Sequence, residues 1–196
     1  GISFSKPEPF EYTWNYFEKA CVNPQNNILI EASPEYADDL YFLRKDNDHR
    51  IIKRNDSIKV FVNGKAKGEV VAGNLQTLLI LSGTQYLPDM TGKILFVEED
   101  ETSTPSNVDR FICQAKQLGW FEKISGIIFG RFTEQSHFSP NDSFEDLLKE
   151  YFSRARFPVV YNADFGHSDP MVTVPNGGVC YIDGSRISFE QSVSAI

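Results

Sequence analysis

Three short runs of consecutive apolar residues alternate with two amphipathic stretches, and this order constrains the chain more than any other feature. Lys93-Ile-Leu-Phe-Val-Glu98, Gly126-Ile-Ile-Phe-Gly130 and Phe157-Pro-Val-Val-Tyr161 read as buried strands. Between the first two, Val108, Phe111, Ile112, Ala115 and Leu118 share one helical face. Ser106 with Asp109 approximates a capping box there, and Gly119 stops the helix. Between the second and third, Asp142-Ser143 open a helix with Phe144, Leu147, Leu148, Tyr151 and Phe152 on its apolar side. Strand–helix–strand–helix–strand predicts parallel strands joined by right-handed crossovers. Parallel strands bring their carboxyl ends to one edge, where sites in open α/β sheets form. The residues after 98, 130 and 161 should therefore meet.

The flanks read differently. Phe10, Trp14, Phe17 and Cys21 fall at helical spacing, with Pro9 suited to a first turn. Residues 33–57 are irregular and charged, and read as a solvated loop whose length also allows a functional role. Asn63-Gly64 between extended runs predicts a hairpin. Asn74 caps an apolar helical run that Gly83 ends. Asp183-Gly184 predicts a second hairpin. The expected class is thus α/β, a small parallel sheet with crossover helices layered against antiparallel hairpins. The expected organisation is one domain over 1–196, with 1–58 leading in and 59–196 forming the core.

Composition excludes several classes. A chain of 196 residues that is 41% hydrophobic and 23% charged is neither disordered nor low in complexity. Its formal net charge of -8 repels phosphate, so no nucleic-acid partner is expected. No apolar run approaches the ~18 residues of a membrane span, so no membrane partner is expected either. Cys21, Cys113 and Cys180 lie in apolar stretches without a CxxC and read as reduced core thiols. No HxxxH, HExxH or Cys/His spacing points to a metal, and no glycine-rich phosphate loop or Gly-x-Ser-x-Gly elbow is present.

At the shared edge stand Glu98-Glu99-Asp100-Glu101 after the first strand, Arg131 after the second, and Asp164-Phe165-Gly166-His167 after the third. A carboxylate and an imidazole converging there make a general-base arrangement, the acid fixing the ring tautomer and stabilising the imidazolium. His49 and His137 lie in polar, irregular stretches and read as solvated. Ser82 ends an apolar helix and Ser185 sits in a turn, so neither suits a nucleophile.

Val71-Ala-Gly73-Asn74-Leu75, Ser82-Gly83-Thr84-Gln-Tyr86-Leu-Pro88, Gly92-Lys-Ile-Leu-Phe-Val-Glu98-Glu99, Gly126-Ile-Ile-Phe-Gly130-Arg131-Phe132, Phe165-Gly166-His167 and Thr173-Val-Pro175-Asn-Gly177 follow in order. Together they resemble the carboxy-terminal half of the LD-carboxypeptidase family of serine peptidases, which includes the microcin C immunity peptidases. Pro7-Glu-Pro9-Phe10 with Tyr12 to Phe17 resembles more loosely the stretch leaving the first domain in the immunity-type branch.

The resemblance implies a swivelling β/β/α-like carboxy-terminal domain and a Ser-Glu-His triad in which Glu98 and His167 are the acid and the base. Two adjacent acids, Glu98 and Glu99, stand where the family has Glu-Asp. The family's Gly-Tyr-Ser-Asp turn does not occur in the chain, so the nucleophile is expected from an absent amino-terminal domain, the chain's own partner. Losing a triad nucleophile costs about 10⁶ in kcat, and the chain alone is expected to be nearly inert. The implied substrate is a murein peptide cut before a terminal D-Ala, with no cofactor. The alternatives are a microcin C immunity-type hydrolase of aminoacyl or peptidyl nucleotides, and a non-catalytic binding or dimerisation module. Arg131 is a candidate for a substrate carboxylate, and Tyr36, Tyr41 and Phe42 are candidates to stack on a base. The resemblance further implies a homodimer and a cytoplasmic place.

Overall fold

The computed structural model describes Phe4, residues 10–46 and residues 48–190. Chain order is α1 (Glu11–Phe17), running into a π turn (Glu18–Val22), then β1 (Ile28–Ile30), β2 (Glu35–Tyr36), a 3₁₀ turn (Tyr41–Leu43), β3 (Lys53–Arg54), β4 (Lys59–Val62) and β5 (Lys65–Asn74). There follow α2 (Leu75–Ile80), β6 (Ile94–Glu98), α3 (Pro105–Gln117), β7 (Gly126–Gly130), a 3₁₀ turn (Glu134–Ser136), α4 (Phe144–Phe152), β8 (Val159–Ala163), β9 (Val179–Asp183) and β10 (Arg186–Phe189).

The alternating strands pair in parallel as expected: β5 with β6, β6 with β7, and β7 with β8. They belong to one eight-stranded sheet, ordered β1-β10-β9-β5-β6-β7-β8-β4. β5 joins its two halves, since Lys65–Glu69 pair antiparallel with β9 and Val70–Asn74 pair parallel with β6. Three strand spacings of about 4.8 Å would hold β10 about 14 Å from β6 in a flat sheet. Phe189 of β10 and Phe96 of β6 instead have ring centroids 5.5 Å apart. The antiparallel arm therefore curls over the parallel strands, which is the expected layering made from one continuous sheet.

Both faces of the parallel strands are thereby covered, which is why they read as unbroken apolar runs. Along β6, Leu95 and Val97 join Leu79, Val108, Ile112, Leu148 and Phe152 beneath the helices. Ile94 and Phe96 point the other way, toward Cys180, Ile182, Ile187 and Phe189 of the arm. Asn74 caps α2 through a 3.0 Å bond from Thr77 N, and Ser143 with Asp146 forms a full capping box on α4. Among the described residues no helix is long and apolar enough to cross a membrane.

Several local expectations are corrected. Asn63-Gly64 makes no hairpin: β4 pairs with β8 at the sheet's far edge, and neither turn residue takes a positive φ. β9 and β10 do form the second hairpin, but Asp183 pairs with Arg186, so Gly184-Ser185 is the turn. The cap of α3 is Thr104, with Pro105 at the first helical position, where its missing N–H costs nothing. On α1 the buried stripe is Thr13 and Tyr16, continued by Ala20, while Trp14 and Cys21 are exposed. Tyr16 turns inward because its hydroxyl reaches the Leu29 carbonyl at 2.9 Å. Pro9 lies outside the described residues.

Candidate active site

The carboxyl ends of β5, β6, β7 and β8 bring Asn74, Glu98, Gly130 and Ala163 to one edge. Glu98, the last residue of β6, is buried, and its Oε2 lies 2.6 Å from Nδ1 of His167. The two residues are 69 apart in sequence. With Glu98 ionised, Nδ1–H donates and Nε2 is left as the basic nitrogen. The Glu98 hydrogen bond holds the His167 pKa above its ordinary value. Partial burial opposes this, and the charges of Glu98, Asp100 and Glu101 add to it. About half of the His167 side chain is exposed. Among the described residues no hydroxyl or thiol is bonded to the ring.

Two glycines make room for this pair. Gly166 has φ +109°, and a Cβ there would lie 2.9 Å from both Cβ and Oε2 of Glu98. A Cβ on Gly130 would lie 3.0 Å from Glu98 Cβ and would run into the Phe165 carbonyl. Glu98 is thus enclosed by backbone on two sides, which limits where its carboxylate can point.

Successive strand residues face opposite ways, and this separates the two adjacent acids. Glu99 turns from the histidine and accepts from Gln76 N at 2.7 Å, Ser103 Oγ at 2.7 Å and Asn74 Nδ2 at 3.2 Å. Burial pushes its carboxyl pKa up, and these three bonds pull it back. Glu99 ties the start of α2 to the loop after β6, and Glu98 alone meets the ring.

Arg131 is buried and its Nη2 donates to Asp164 Oδ1. Asp164 also accepts from Ser33 N at 2.7 Å and Asn55 Nδ2 at 3.2 Å. Burial raises the Asp164 carboxyl, against the Arg131 charge and these bonds. Tyr36 stacks 4.4 Å over the guanidinium. The buried Arg131 and the half-buried Tyr36 thus contact each other and do not line the cavity beside His167, while Arg131 lines a neighbouring cavity with Tyr161 and Asn162.

Tyr41 and Phe42 do line that cavity, of about 530 Å³, together with His167, Asp169 and Met171. Its wall is built by residues 33–57, which are not a solvated loop: Ser33, Ala37, Asp38, Tyr41 and Asn55 are buried. Ala37 and Asp169 exchange backbone bonds of 2.7 and 2.8 Å. Arg50 bridges Asp39 at 2.9 Å and Asp169 at 2.8 Å, and Lys53 bridges Asp38 at 2.6 Å and Glu134 at 2.7 Å. Asp39 and Arg50 were not singled out by sequence reasoning. The mixture of both charge signs within one loop was their only visible trace. His49 and His137 are exposed, as expected.

The family model described as the LD-carboxypeptidase C-terminal domain matches residues 67–182, a range that holds both Glu98 and His167. The chain is 32% identical over 181 residues to "Putative carboxypeptidase YocD" of Bacillus subtilis, covering 92% of this chain and 54% of the relative. It is 28% identical over 187 residues to "Microcin C7 self-immunity protein MccF" of Escherichia coli, covering 92% and 54%. The crystal structure of an MccF-like protein from Bacillus anthracis superposes with a TM-score of 0.80 at 32% identity, covering 91% of this chain and 55% of that one. The chain spans about half the length of the curated relatives it matches.

Proposed function

Because the chain belongs to the LD-carboxypeptidase family, as its carboxy-terminal domain, we propose that it brings the acid and the base of a Ser-Glu-His triad to an amide hydrolase. The observation that carries this is the 2.6 Å contact between Glu98 and His167 Nδ1. The serine comes from an amino-terminal domain. Its hydroxyl attacks the scissile carbonyl as His167 Nε2 takes the proton, and Glu98 stabilises the imidazolium. Collapse of the tetrahedral intermediate breaks the C–N bond, and the same proton passes to the leaving amine. Water repeats the path to release the acid. The raised His167 pKa suits a ring that becomes positively charged during the reaction.

The substrate proposed first is a murein peptide, cut between an L-centre and a terminal D-Ala. A second reading is an aminoacyl or peptidyl nucleotide. The cavity wall supports it, because Tyr41 and Phe42 offer aromatic surface next to His167. Without the serine domain the chain is close to inert. The test uses the full-length protein containing this chain, assayed for D-Ala release from an L,D-linked murein tetrapeptide and for hydrolysis of an aminoacyl sulfamoyl adenosine. His167→Ala should lower kcat by about 10⁶, and Glu98→Ala by about 10⁴. Wild-type rates in both variants would rule out the triad, and the better substrate decides between the two readings.

A further inference from the structure

His167 stands in the segment between β8 and β9, where no helix or strand fixes the backbone. Its side chain is about half exposed, so packing holds the ring on one side only. Asp164 and Ser168, on either side of it in sequence, are buried. Both are bonded to one side chain: Arg131 Nη2 donates to Asp164 Oδ1, and Nη1 donates to Ser168 Oγ at 3.4 Å. These two acceptors bracket Phe165-Gly166-His167, so a single guanidinium spans the turn that carries the ring. The guanidinium is fixed in its own place. Tyr36 stacks over it at 4.4 Å, and Asp164 is held from its other side by Ser33 N and Asn55 Nδ2.

Arg131 is tied to the acid as well. It follows Gly130, where a Cβ would lie 3.0 Å from Glu98 Cβ, and its backbone N–H donates to the Ala163 carbonyl at 3.0 Å. The strand end packed on the acid and the turn bearing the base therefore meet in one residue. A planar guanidinium holds two acceptors in a set relation, whereas an ammonium is a point charge on a flexible stem.

We propose that Arg131 is a positioning residue for the hydrolysis, gripping the His167 turn at Asp164 and at Ser168 so that the ring keeps its place against Glu98. The inference rests on the amide-hydrolase reading and adds to it a residue that acts only through the base.

Two variants break this grip without changing the local charge sum. Arg131→Lys keeps the cation and loses the fork. Asp164→Ala combined with Arg131→Met removes both members of the ion pair, so no charge is left buried alone. In the full-length protein each should lower kcat at least about tenfold and leave KM within about twofold, because misplacing a reacting group by about 1 Å can cost about 10² in rate. In each, the NMR titration of His167 should move to lower pH, because the Glu98 bond that raises its pKa is loosened. Asp100 and Glu101, the other charges acting on the ring, are untouched. A loss of stability alone would change the amount of folded protein and not that midpoint. Wild-type kcat, or an unmoved midpoint, in a folded variant overturns the proposal. If the double variant does not fold, Arg131→Lys is judged by the same criteria. If the wild type hydrolyses neither the murein tetrapeptide nor the aminoacyl sulfamoyl adenosine, or His167→Ala keeps the wild-type rate, the hydrolase reading fails. The His167 titration needs no turnover and then judges the grip by itself.

Discussion

Replacing Gly166 with alanine tests whether the Glu98–His167 pair depends on the backbone that encloses it. Two costs combine at this position. The residue sits at φ +109°, where an L side chain is strained, at about 1–3 kcal/mol. The new methyl would also lie 2.9 Å from Cβ and Oε2 of Glu98, well inside the usual carbon contact of about 3.5–4.0 Å. Overpacking of this kind adds about 1–3 kcal/mol. Gly177 provides the control, because its φ is +84° and nothing lies within 4 Å of a Cβ built there. Gly177→Ala bears the backbone strain alone, and the change in unfolded-state entropy is common to both variants. Urea unfolding should therefore find Gly166→Ala less stable than Gly177→Ala by about 1–3 kcal/mol, or about 2–12 °C in Tm for a domain of this size. The NMR titration of His167 should move in the first variant and stay in the second. Equal stabilities, with an unmoved histidine, would refute the argument that contact with Glu98 is what requires glycine at 166.

The Glu98 hydrogen bond raises the His167 pKa, so its contribution to stability is complete below the unfolded value of about 6.5 and is lost as pH rises through the folded value. Glu98→Gln should lower the histidine's titration midpoint by NMR and remove that pH dependence, and an unchanged midpoint would contradict the assignment. Asp164→Ala leaves the Arg131 guanidinium buried beside no carboxylate and should cost about 3–5 kcal/mol in urea unfolding. Adding Arg131→Met should recover most of that loss. A cost below about 1 kcal/mol for the single change would mean that the ion pair does not hold Asn55 and Ser33 in place.

Sequence patterns found the elements wherever local rules and burial agree. Asn74, Ser143, Gly83 and Gly119 mark helix ends because caps and left-handed turns act over three or four residues. They failed where a distant partner outweighs the local rule. Asn63-Gly64 carries the strongest short hairpin signal, yet β4 finds its partner in β8 and β5 finds partners in β6 and β9. On α1 the largest apolar side chain, Trp14, lies outside, because the helix faces inward through Tyr16 and its bond to Leu29. The loop 33–57 reads as solvent-facing by charge, whereas Asp38 pairs with Lys53 and Asp39 with Arg50 inside it, and Arg50 and Lys53 also reach Asp169 and Glu134 far along the chain.

What the sequence determined alone was the alternation of buried strands with amphipathic helices. From it followed the shared edge, and with it the approach of the acidic run 98–101 to residue 167, because parallel strands must end on the same side. What only the tertiary structure decided was which charges pair. Arg50 meets Asp169 across 119 residues, and Arg131 meets Asp164 and Tyr36. No periodicity encodes such contacts. They exist because charges withdrawn from water must find partners among whatever groups the folded chain sets beside them.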